Sequence, residues 1–413
     1  MKKKYIIFLL IFTCNLFCRE FFSNHTIQWE KDISFFEKNL FKTHPNPFFK
    51  FSKDAFQKDL KDLKKKLSNL NDKEIRIELM KIVSQIGDAH TAIFVFPNQS
   101  FCLPFQFYWF EEGLFIINST EKYQDNIGAK LIAIEGVPIE VIVKKLSLLI
   151  PLENEYGIRN FIPRYLKVVD ILDALKITSD SNSIKLEIQK EKKNSYITIS
   201  RVDNYNEKSV SVYDKFMIKT PLSYRFIEKN FWYCFFPKDH LLYFQYNKCQ
   251  DTPQKSCKNF ALELSRVLQK EEISSIILDI RFNSGGSSLL FSRYFLPVIK
   301  KHIKKKGGRV FLLTGRKTFS SSMWIIKDLL KITNVTTIGE PTANKPNHFG
   351  EIKKYQLPYS KNIFTCSSKY FHIFSNDTDA FYPQIIIPVT WSDYFSGIDK
   401  TFDFAFEKAK KNS

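Results

Sequence analysis

Three neighbouring stretches in the second half of the chain indicate its fold. The first reads SIILDIRFNSGG at residues 275–286. The second is VFLL at 310–313 with TFSSS at 318–322, and the third is TTIGEPT at 336–342 with KPNHFGE at 345–351. Short apolar runs bounded by Gly, Pro and Ser are typical of central strands in a sheet covered on both faces. With helical patterns between them, they predict an α/β fold with crossover connections.

The loops after the first two runs carry residue types that suit a hydrolytic site. In open α/β sheets, ligands bind beyond the strand ends. The pair Gly285 and Gly286 lets backbone N–H groups approach a ligand closely, and a serine at the start of the next helix stands beside free N–H groups and the positive end of the helix dipole. One loop offers oxyanion donors and the other a nucleophile, which is half of a serine hydrolase. The pattern alone also allows a plain turn and a plain helix cap.

Together these motifs resemble the tail-specific (C-terminal processing) serine proteases, whose relatives include the tricorn core protease and the retinoid-binding repeat proteins. The likeness rests on DIRFNSGG at 279–286, TFSS at 318–321 and GEPT at 339–342. It is dense over 339–351 and looser over most of the chain. It implies a ClpP/crotonase-like protease core, α/β (α+β) in class, around a central β-sheet.

The same resemblance assigns roles to individual residues. It implies that Ser320 is the nucleophile. It also implies that backbone N–H groups near Gly285 or Gly286 and at Ser321 form the oxyanion hole. One such donor typically contributes about 3–4 kcal/mol of transition-state stabilisation.

Two residues compete for the role of general base. Lys345 follows Ser320 at the spacing of the family's Ser–Lys dyad, and it could act only if burial lowered its pKa by several units from about 10.4. The motif GDAHT, which contains His90, resembles the family's Asp-Gly-His-Thr element, whose histidine is the base in tricorn-like members. Its imidazole could accept a proton near neutral pH without a shifted pKa. Asp377 and Asp379 lie where tricorn-like members place an acid that supports this histidine.

Length and composition are those of a globular protein. The chain has 413 residues, which is enough for two or three domains, with 44% apolar and 25% charged residues. Its net charge is +19, spread along the chain with local runs such as that at 300–306. No nucleic-acid-binding motif accompanies the charge, so we predict a solvated basic surface and no nucleic-acid partner. Attraction to an anionic membrane or cell wall is the second interpretation.

Residues 1–18 have the layout of a signal peptide. A basic segment at 2–4 precedes an apolar run at 5–12, and the whole is too short to span a bilayer comfortably. Cys14 and Cys18 are both candidate lipid-attachment sites, although the residues before them match a lipobox poorly. We therefore expect an exported protein, either periplasmic or anchored to the membrane or cell surface through an N-terminal lipid.

We expect three further regions after the signal peptide. Residues 19–104 read as an N-terminal helical region, 105–235 as a β-rich insert and 236–413 as the protease core. Within the insert, IGAKLIAIEGVP at 127–138 is similar to the second half of a PDZ module, which captures a chain terminus as an added strand. A carboxylate-binding loop is not evident there, so a purely structural β-unit is equally open.

Cysteine usage gives no sign of a metal site. The chain has seven cysteines, an odd number that suggests at least one free thiol. Cys249 and Cys257 flank a short polar loop and could pair in an oxidising compartment, or stay unpaired. The sequence contains no CxxC or Cys/His metal spacing, so we predict neither a metal nor another cofactor.

Three functions are open at this point. The first is an exported serine endopeptidase acting on unfolded or C-terminal segments of polypeptides. The second is a catalytically silent homologue that binds peptides or apolar ligands, against which the intact Ser320, His90 and Lys345 argue. The third is a hydrolase of non-peptide esters or amides. The oligomeric state is left open as well.

Overall fold

The structure is a computed structural model that describes residues 24–94, 101–179, 182–200, 208–332 and 334–410. The predicted signal peptide, with Cys14 and Cys18, lies outside the described residues. Within those ranges, none of the helices combines the length and the apolar character needed to cross a bilayer.

The secondary structure alternates helices with short strands. The helices are α1 (residues 24–43), α2 (Lys53–Lys66), α3 (Asp72–Ser84), α4 (Ile139–Ser147), α5 (Glu155–Leu166), α6 (Val169–Ala174), α7 (Val212–Lys215), α8 (Cys257–Lys270), α9 (Ser288–Leu290), α10 (Leu296–Lys306), α11 (Ser322–Leu330), α12 (Trp391–Phe395) and α13 (Lys400–Lys410). The strands are β1 (Ala92–Phe94), β2 (Phe105–Phe110), β3 (Gly113–Thr120), β4 (Lys130–Ile134), β5 (Val137–Pro138), β6 (Ser183–Lys190), β7 (Lys193–Ser200), β8 (Ser209–Ser211), β9 (Phe231–Phe236), β10 (Leu241–Tyr246), β11 (Ser275–Asp279), β12 (Arg309–Thr314), β13 (Val335–Gly339), β14 (His348–Gln356), β15 (Ile363–Phe371) and β16 (Ile385–Ile386).

A six-stranded sheet forms the centre of the second half, in the order β16–β13–β12–β11–β10–β9. Its strands are parallel except β9, which pairs antiparallel with β10 at one edge. Every residue of β10 and β11 is buried, because α8, α10 and α11 cover one face of the sheet and α13 covers the other. Parallel sheets need cover on both faces, which explains the nearly continuous apolar runs. The predicted α/β class is confirmed.

The register of this sheet brings the two predicted loops together. Asp279 pairs with Leu313, and Leu313 pairs with Ile338. The carboxyl ends of β11, β12 and β13 therefore meet at one edge of the sheet. The loops at 281–286 and 315–321 lie side by side there, where an open α/β sheet binds its ligands.

The N-terminal helices are tied to this half by a strand. β1 pairs antiparallel with β15, with Ala92 opposite Thr365, and β15 pairs in turn with β14. The Thr365 hydroxyl also donates a hydrogen bond to the His90 carbonyl at 2.8 Å. This three-stranded sheet carries His90, which immediately precedes Thr91 and β1, to the edge where the loops of the central sheet meet.

Residues 105–211 build a separate antiparallel sheet in the order β2–β3–β4–β6–β7, with β5 on β4 and β8 on β3. The segment with the PDZ-like pattern forms β4 and β5, and α4 follows it. The core sheet begins with β9, a few residues before position 236, where the sequence places the start of the core. The division of the chain into regions stays a prediction.

A buried arginine ties the end of the chain to the central sheet. Arg281 follows β11, and its guanidinium donates to Asp279 at 2.7 Å and to both carboxylate oxygens of Asp399 at 2.7 and 2.8 Å. Asp399 in turn accepts from the backbone N–H of Phe402 in the first turn of α13, at 3.1 Å. The charged group is thus enclosed and fully paired, as a buried ion must be.

Cys249 and Cys257 are buried free thiols in this structure. Of the two alternatives that the sequence leaves open, the structure therefore shows the unpaired one. Burial raises the pKa of Cys249 to about 11 and that of Cys257 to about 12. Both thiols are accordingly protonated at neutral pH and poorly reactive.

Candidate active site

Ser320 stands in a sharp turn between β12 and α11. Its φ is +57°, in the left-handed region that residues other than glycine seldom adopt. The conformation is held by its backbone N–H, which donates to Asn344 Oδ1 at 2.6 Å, and by its carbonyl, which accepts from the Met323 N–H at 2.9 Å. Strain of this kind collects at functional sites. The turn presents Ser320 two residues before α11 begins, so it is not a plain cap of that helix.

The loop at Gly285 and Gly286 packs directly against this turn. A Cβ atom on Gly285 would lie 2.7 Å from the Ser320 Cβ, so only glycine permits the approach. The Ser321 hydroxyl donates to the Gly286 carbonyl at 2.5 Å and fastens the two loops together. The Gly285 N–H donates a hydrogen bond to Asn283 Oδ1 at 2.9 Å. The N–H groups of Gly286 and Ser321 form no hydrogen bond within the described residues, so they are available as donors.

His90 lies in the same place. Its side chain is 8% exposed. Its ring centroid is 4.7 Å from that of Phe319, and it stacks on His348 at 5.4 Å with an interplanar angle of 11°. Both ring nitrogens are buried, and neither forms a hydrogen bond in the described part of the chain. Burial lowers the pKa of His90 against the opposing effect of Asp88, so the imidazole is neutral at pH 7 and can accept a proton.

Asp88 organises the turn that carries His90. Its Oδ1 accepts from the His90 backbone N–H at 2.9 Å, and its Oδ2 accepts from Thr91 Oγ1 at 2.5 Å and lies 3.1 Å from His44 Nε2. Burial by itself would raise the pKa of Asp88, but the hydrogen bond from His44 and the nearby His90 lower it to about 2. The carboxylate is therefore ionised, with its Oδ1 3.9 Å from His90 Nδ1.

A further acid, Glu153, was missed by the sequence analysis. It stands just before α5, and its Oε2 accepts from Asn344 Nδ2 at 2.6 Å and from the Lys345 N–H at 2.7 Å. Burial, followed by the charge of Asp88, raises the pKa of Glu153 to about 7. The Asn344 side chain joins this carboxylate to the Ser320 N–H. Nothing in the stretch PLENEYG marks one of its two glutamates, because the partners come from a distant part of the chain.

Asp88, His90 and Glu153 bring three metal-binding atoms within 4.8 Å of one another. A cation could fit this spacing. The carboxylate oxygens, however, already accept hydrogen bonds from N–H and O–H groups. The arrangement therefore suits the control of proton affinity at His90 better than the binding of a metal ion.

The side chains of the other predicted residues have other partners. Lys345 Nζ is 3.2 Å from Asp377 Oδ2, with 25% of the lysine side chain exposed. Asp379 accepts from the Tyr382 hydroxyl at 3.0 Å. Within the described ranges, neither aspartate forms a hydrogen bond or ion pair with His90.

Ser320 and His90 open into one cavity of about 1150 Å³. This is slightly above the usual range for small-ligand sites, which is about 300–1,000 Å³. Its apolar wall includes aromatic and aliphatic side chains from several elements, among them Phe161, Phe319, Trp324, Ile352 and Phe371.

Comparison with known proteins agrees with this architecture. No protein-family model and no curated protein sequence matches the chain. Among solved structures, mature CPAF complexed with lactacystin has a TM-score of 0.63 at 12% identity, covering 95% of this chain and 98% of that one. Mature CPAF by itself has a TM-score of 0.62 at 13% identity, covering 95% and 97%. The chain therefore shares its fold with mature CPAF. The likeness inferred from the motifs is thus confirmed at the level of the fold.

One further solved structure is similar at a lower TM-score. The photosystem II D1 C-terminal processing protease has a TM-score of 0.42 at 9% identity, covering 88% of this chain and 93% of that one. Identities this low show a shared fold alone, because unrelated chemistries share folds. The roles of individual residues must be argued from the geometry of this site.

Proposed function

We propose that this chain is a serine endopeptidase of the tail-specific type, which cleaves peptide bonds in unfolded or C-terminal segments of polypeptides. Ser320 is the nucleophile and His90 the general base. One observation carries the proposal: a strained serine and a neutral, buried imidazole open into one cavity beside two unused backbone N–H donors.

In this mechanism His90 takes the Ser320 hydroxyl proton as the oxygen attacks the substrate carbonyl carbon. The developing oxyanion accepts hydrogen bonds from the N–H groups of Gly286 and Ser321, each worth about 10²–10³ in kcat. The C–N bond then breaks, and the protonated His90 delivers its proton to the leaving amine. Water activated by the same imidazole releases the acyl group from the serine.

Two neighbours keep His90 suited to this role. The ionised Asp88, 3.9 Å away, stabilises the imidazolium that forms in the transition state. The stacked His348 stays uncharged, because burial, followed by the effect of His90, lowers its pKa to about 4. It therefore does not repel the positive charge on His90. Lys345, held by a carboxylate at the surface, is the weaker candidate for the base.

The decisive experiment measures cleavage of an unfolded protein by the full chain, with products identified by mass spectrometry. Ser320→Ala and His90→Ala should each lower kcat by about 10³-fold or more, and Lys345→Ala by less than about threefold. Ser392→Ala, an exposed serine on α12, is the matched control. Loss of activity in Lys345→Ala with retention in His90→Ala would reverse the choice of base. If none of the variants differs from wild type, catalysis fails as an explanation and a peptide-binding role takes its place.

We also propose that the protein is exported, to the periplasm or to a lipid anchor at the membrane or cell surface. The support is the basic and apolar pattern of residues 1–18 with its two cysteines. Mass spectrometry of the N-terminal peptide from cells should find a cleaved terminus, or a lipid on Cys14 or Cys18. An intact, unmodified Met1 on cytosolic protein would contradict export.

A further inference from the structure

The wall of the cavity carries positive charge that the proposed mechanism does not use. Arg164, on the last turn of α5, and Lys317, three residues before Ser320, both line it. Lys167 and Lys354 line it as well. These cations come from three separate parts of the chain, so the folded structure rather than a local basic run concentrates them here.

Among the described residues, these charges have no carboxylate as an ion-pair partner. Neither Arg164 nor Lys317 forms an ion pair in the ranges that the structure describes. The Lys317 Nζ lies 5.4 Å above the ring of Phe282, and the Arg164 guanidinium lies 5.6 Å above the ring of Phe161. Both cations therefore rest on aromatic faces and not on carboxylates.

The acids near this wall are already engaged. Glu340 accepts two hydrogen bonds from the Arg316 guanidinium. Glu351, which lines the cavity, pairs with Lys369 at 2.9 Å. Burial, followed by the charges of Arg164 and Arg316, lowers the pKa of Lys317 to about 8. Arg164 is exposed and Lys317 is half-buried, and an anion that binds between two such cations would relieve their mutual repulsion.

We propose that Arg164 and Lys317 form a subsite for a carboxylate of the substrate, close to the bond that Ser320 attacks. This inference rests on the proposed function. The carboxylate is either the free C-terminus of the polypeptide or the side chain of an Asp or Glu next to the cleaved bond. A guanidinium binds a carboxylate through two parallel N–H donors, and an ammonium adds a point charge, so the pair selects an anion over its neutral amide.

The test compares peptides that differ by one charge. One pair has Glu or Gln beside the cleaved bond and an amidated C-terminus, and the other has no acidic side chain and ends in a free carboxylate or an amide. We expect kcat/KM of the wild type to favour the charged member of one pair by about tenfold to hundredfold. The pair that shows the preference identifies the source of the carboxylate.

Variants then assign the preference to the subsite. Lys317→Met and Arg164→Gln should each reduce the ratio of kcat/KM for the charged over the neutral peptide to within about threefold. Arg164→Lys keeps the charge but loses the two parallel donors, so it should retain only part of the preference. Lys300→Met, on the exposed face of α10, removes a charge away from the cavity and should leave the ratio unchanged.

The outcomes separate this inference from the proposed function. If wild type cleaves both members of each pair equally well, the peptidase stands and the subsite is wrong. If Ser320→Ala cleaves as well as wild type, the peptidase is wrong. The subsite is then tested by binding: calorimetry with the Ser320→Ala variant should show tighter binding of the charged peptide, lost in Lys317→Met, and equal binding of both peptides would overturn it.

Discussion

Replacement of Glu153 by Gln should change how the stability of the protein depends on pH. In the folded chain the pKa of Glu153 is raised from 4.5 to about 7. The folded protein therefore holds a proton between these pH values that the unfolded chain has lost, and stability falls as pH rises through this window. A pKa increase of this size corresponds to about 3 kcal/mol, or about 2 after allowance for the partial solvent access of the side chain.

Glutamine removes this penalty while keeping the geometry. Its amide oxygen can still accept from Asn344 Nδ2 and the Lys345 N–H, the two short hydrogen bonds of Glu153. The free energy of unfolding of Glu153→Gln relative to wild type should therefore rise by about 2–3 kcal/mol between pH 4.5 and pH 7.5. At pH 4.5 the two proteins should differ by less than about 1 kcal/mol, because both side chains are then largely neutral.

Urea unfolding at four pH values across this range measures the effect, with equal m-values as the condition for comparison. Glu228→Gln, on an exposed turn, is the control for the loss of a carboxylate away from this site. A Glu153→Gln difference that stays constant within about 0.5 kcal/mol would refute the claim that the folded protein disfavours the charged carboxylate. A difference that falls as pH rises would mean that the folded protein favours the charged carboxylate.

Three further outcomes follow from the structure. Arg281→Met leaves two buried aspartates without their cation and should lower the free energy of unfolding by about 3–5 kcal/mol in chemical denaturation. Gly339→Ala would place a Cβ 2.1 Å from the Thr314 carbonyl oxygen and should destabilise by more than about 3 kcal/mol, whereas Gly307→Ala, with no atom within 4 Å, should cost about 1. The lowered pKa of His90 should place the acid limb of the kcat/KM profile below about pH 6.5; a limb above pH 7 would contradict it.

The local sequence pattern was sufficient to predict the central sheet. The runs at 275–280 and 310–313 are apolar without interruption because both faces of β11 and β12 are covered, and that burial is visible residue by residue. The loops that follow them are recognisable for the same reason: Gly285 must lack a side chain for the Ser320 turn to approach. A residue type that its own position demands, such as an apolar residue in a covered strand or a glycine at a close approach, can be predicted from the sequence.

The local sequence pattern could not predict which residues each site residue contacts. The sequence left His90 and Lys345 as equal candidates for the base. The structure shows their surroundings: His90 is buried, and Lys345 pairs with Asp377 and is partly exposed. Glu153 had no signal at all, because its role depends on Asn344. Proton affinity is set by burial and by neighbouring charges.

The amino-acid sequence by itself therefore determined the fold class, the Ser320 turn and the glycine loop beside it, because these depend on short-range periodicity and steric fit. Only the tertiary structure decided which ionisable groups meet: the strand pairing of β1 with β15 brings in His90, and the approach of α5 brings in Glu153 and Arg164. Electrostatic environment is a property of atoms close in space and distant along the chain, so it emerges only when the chain has folded.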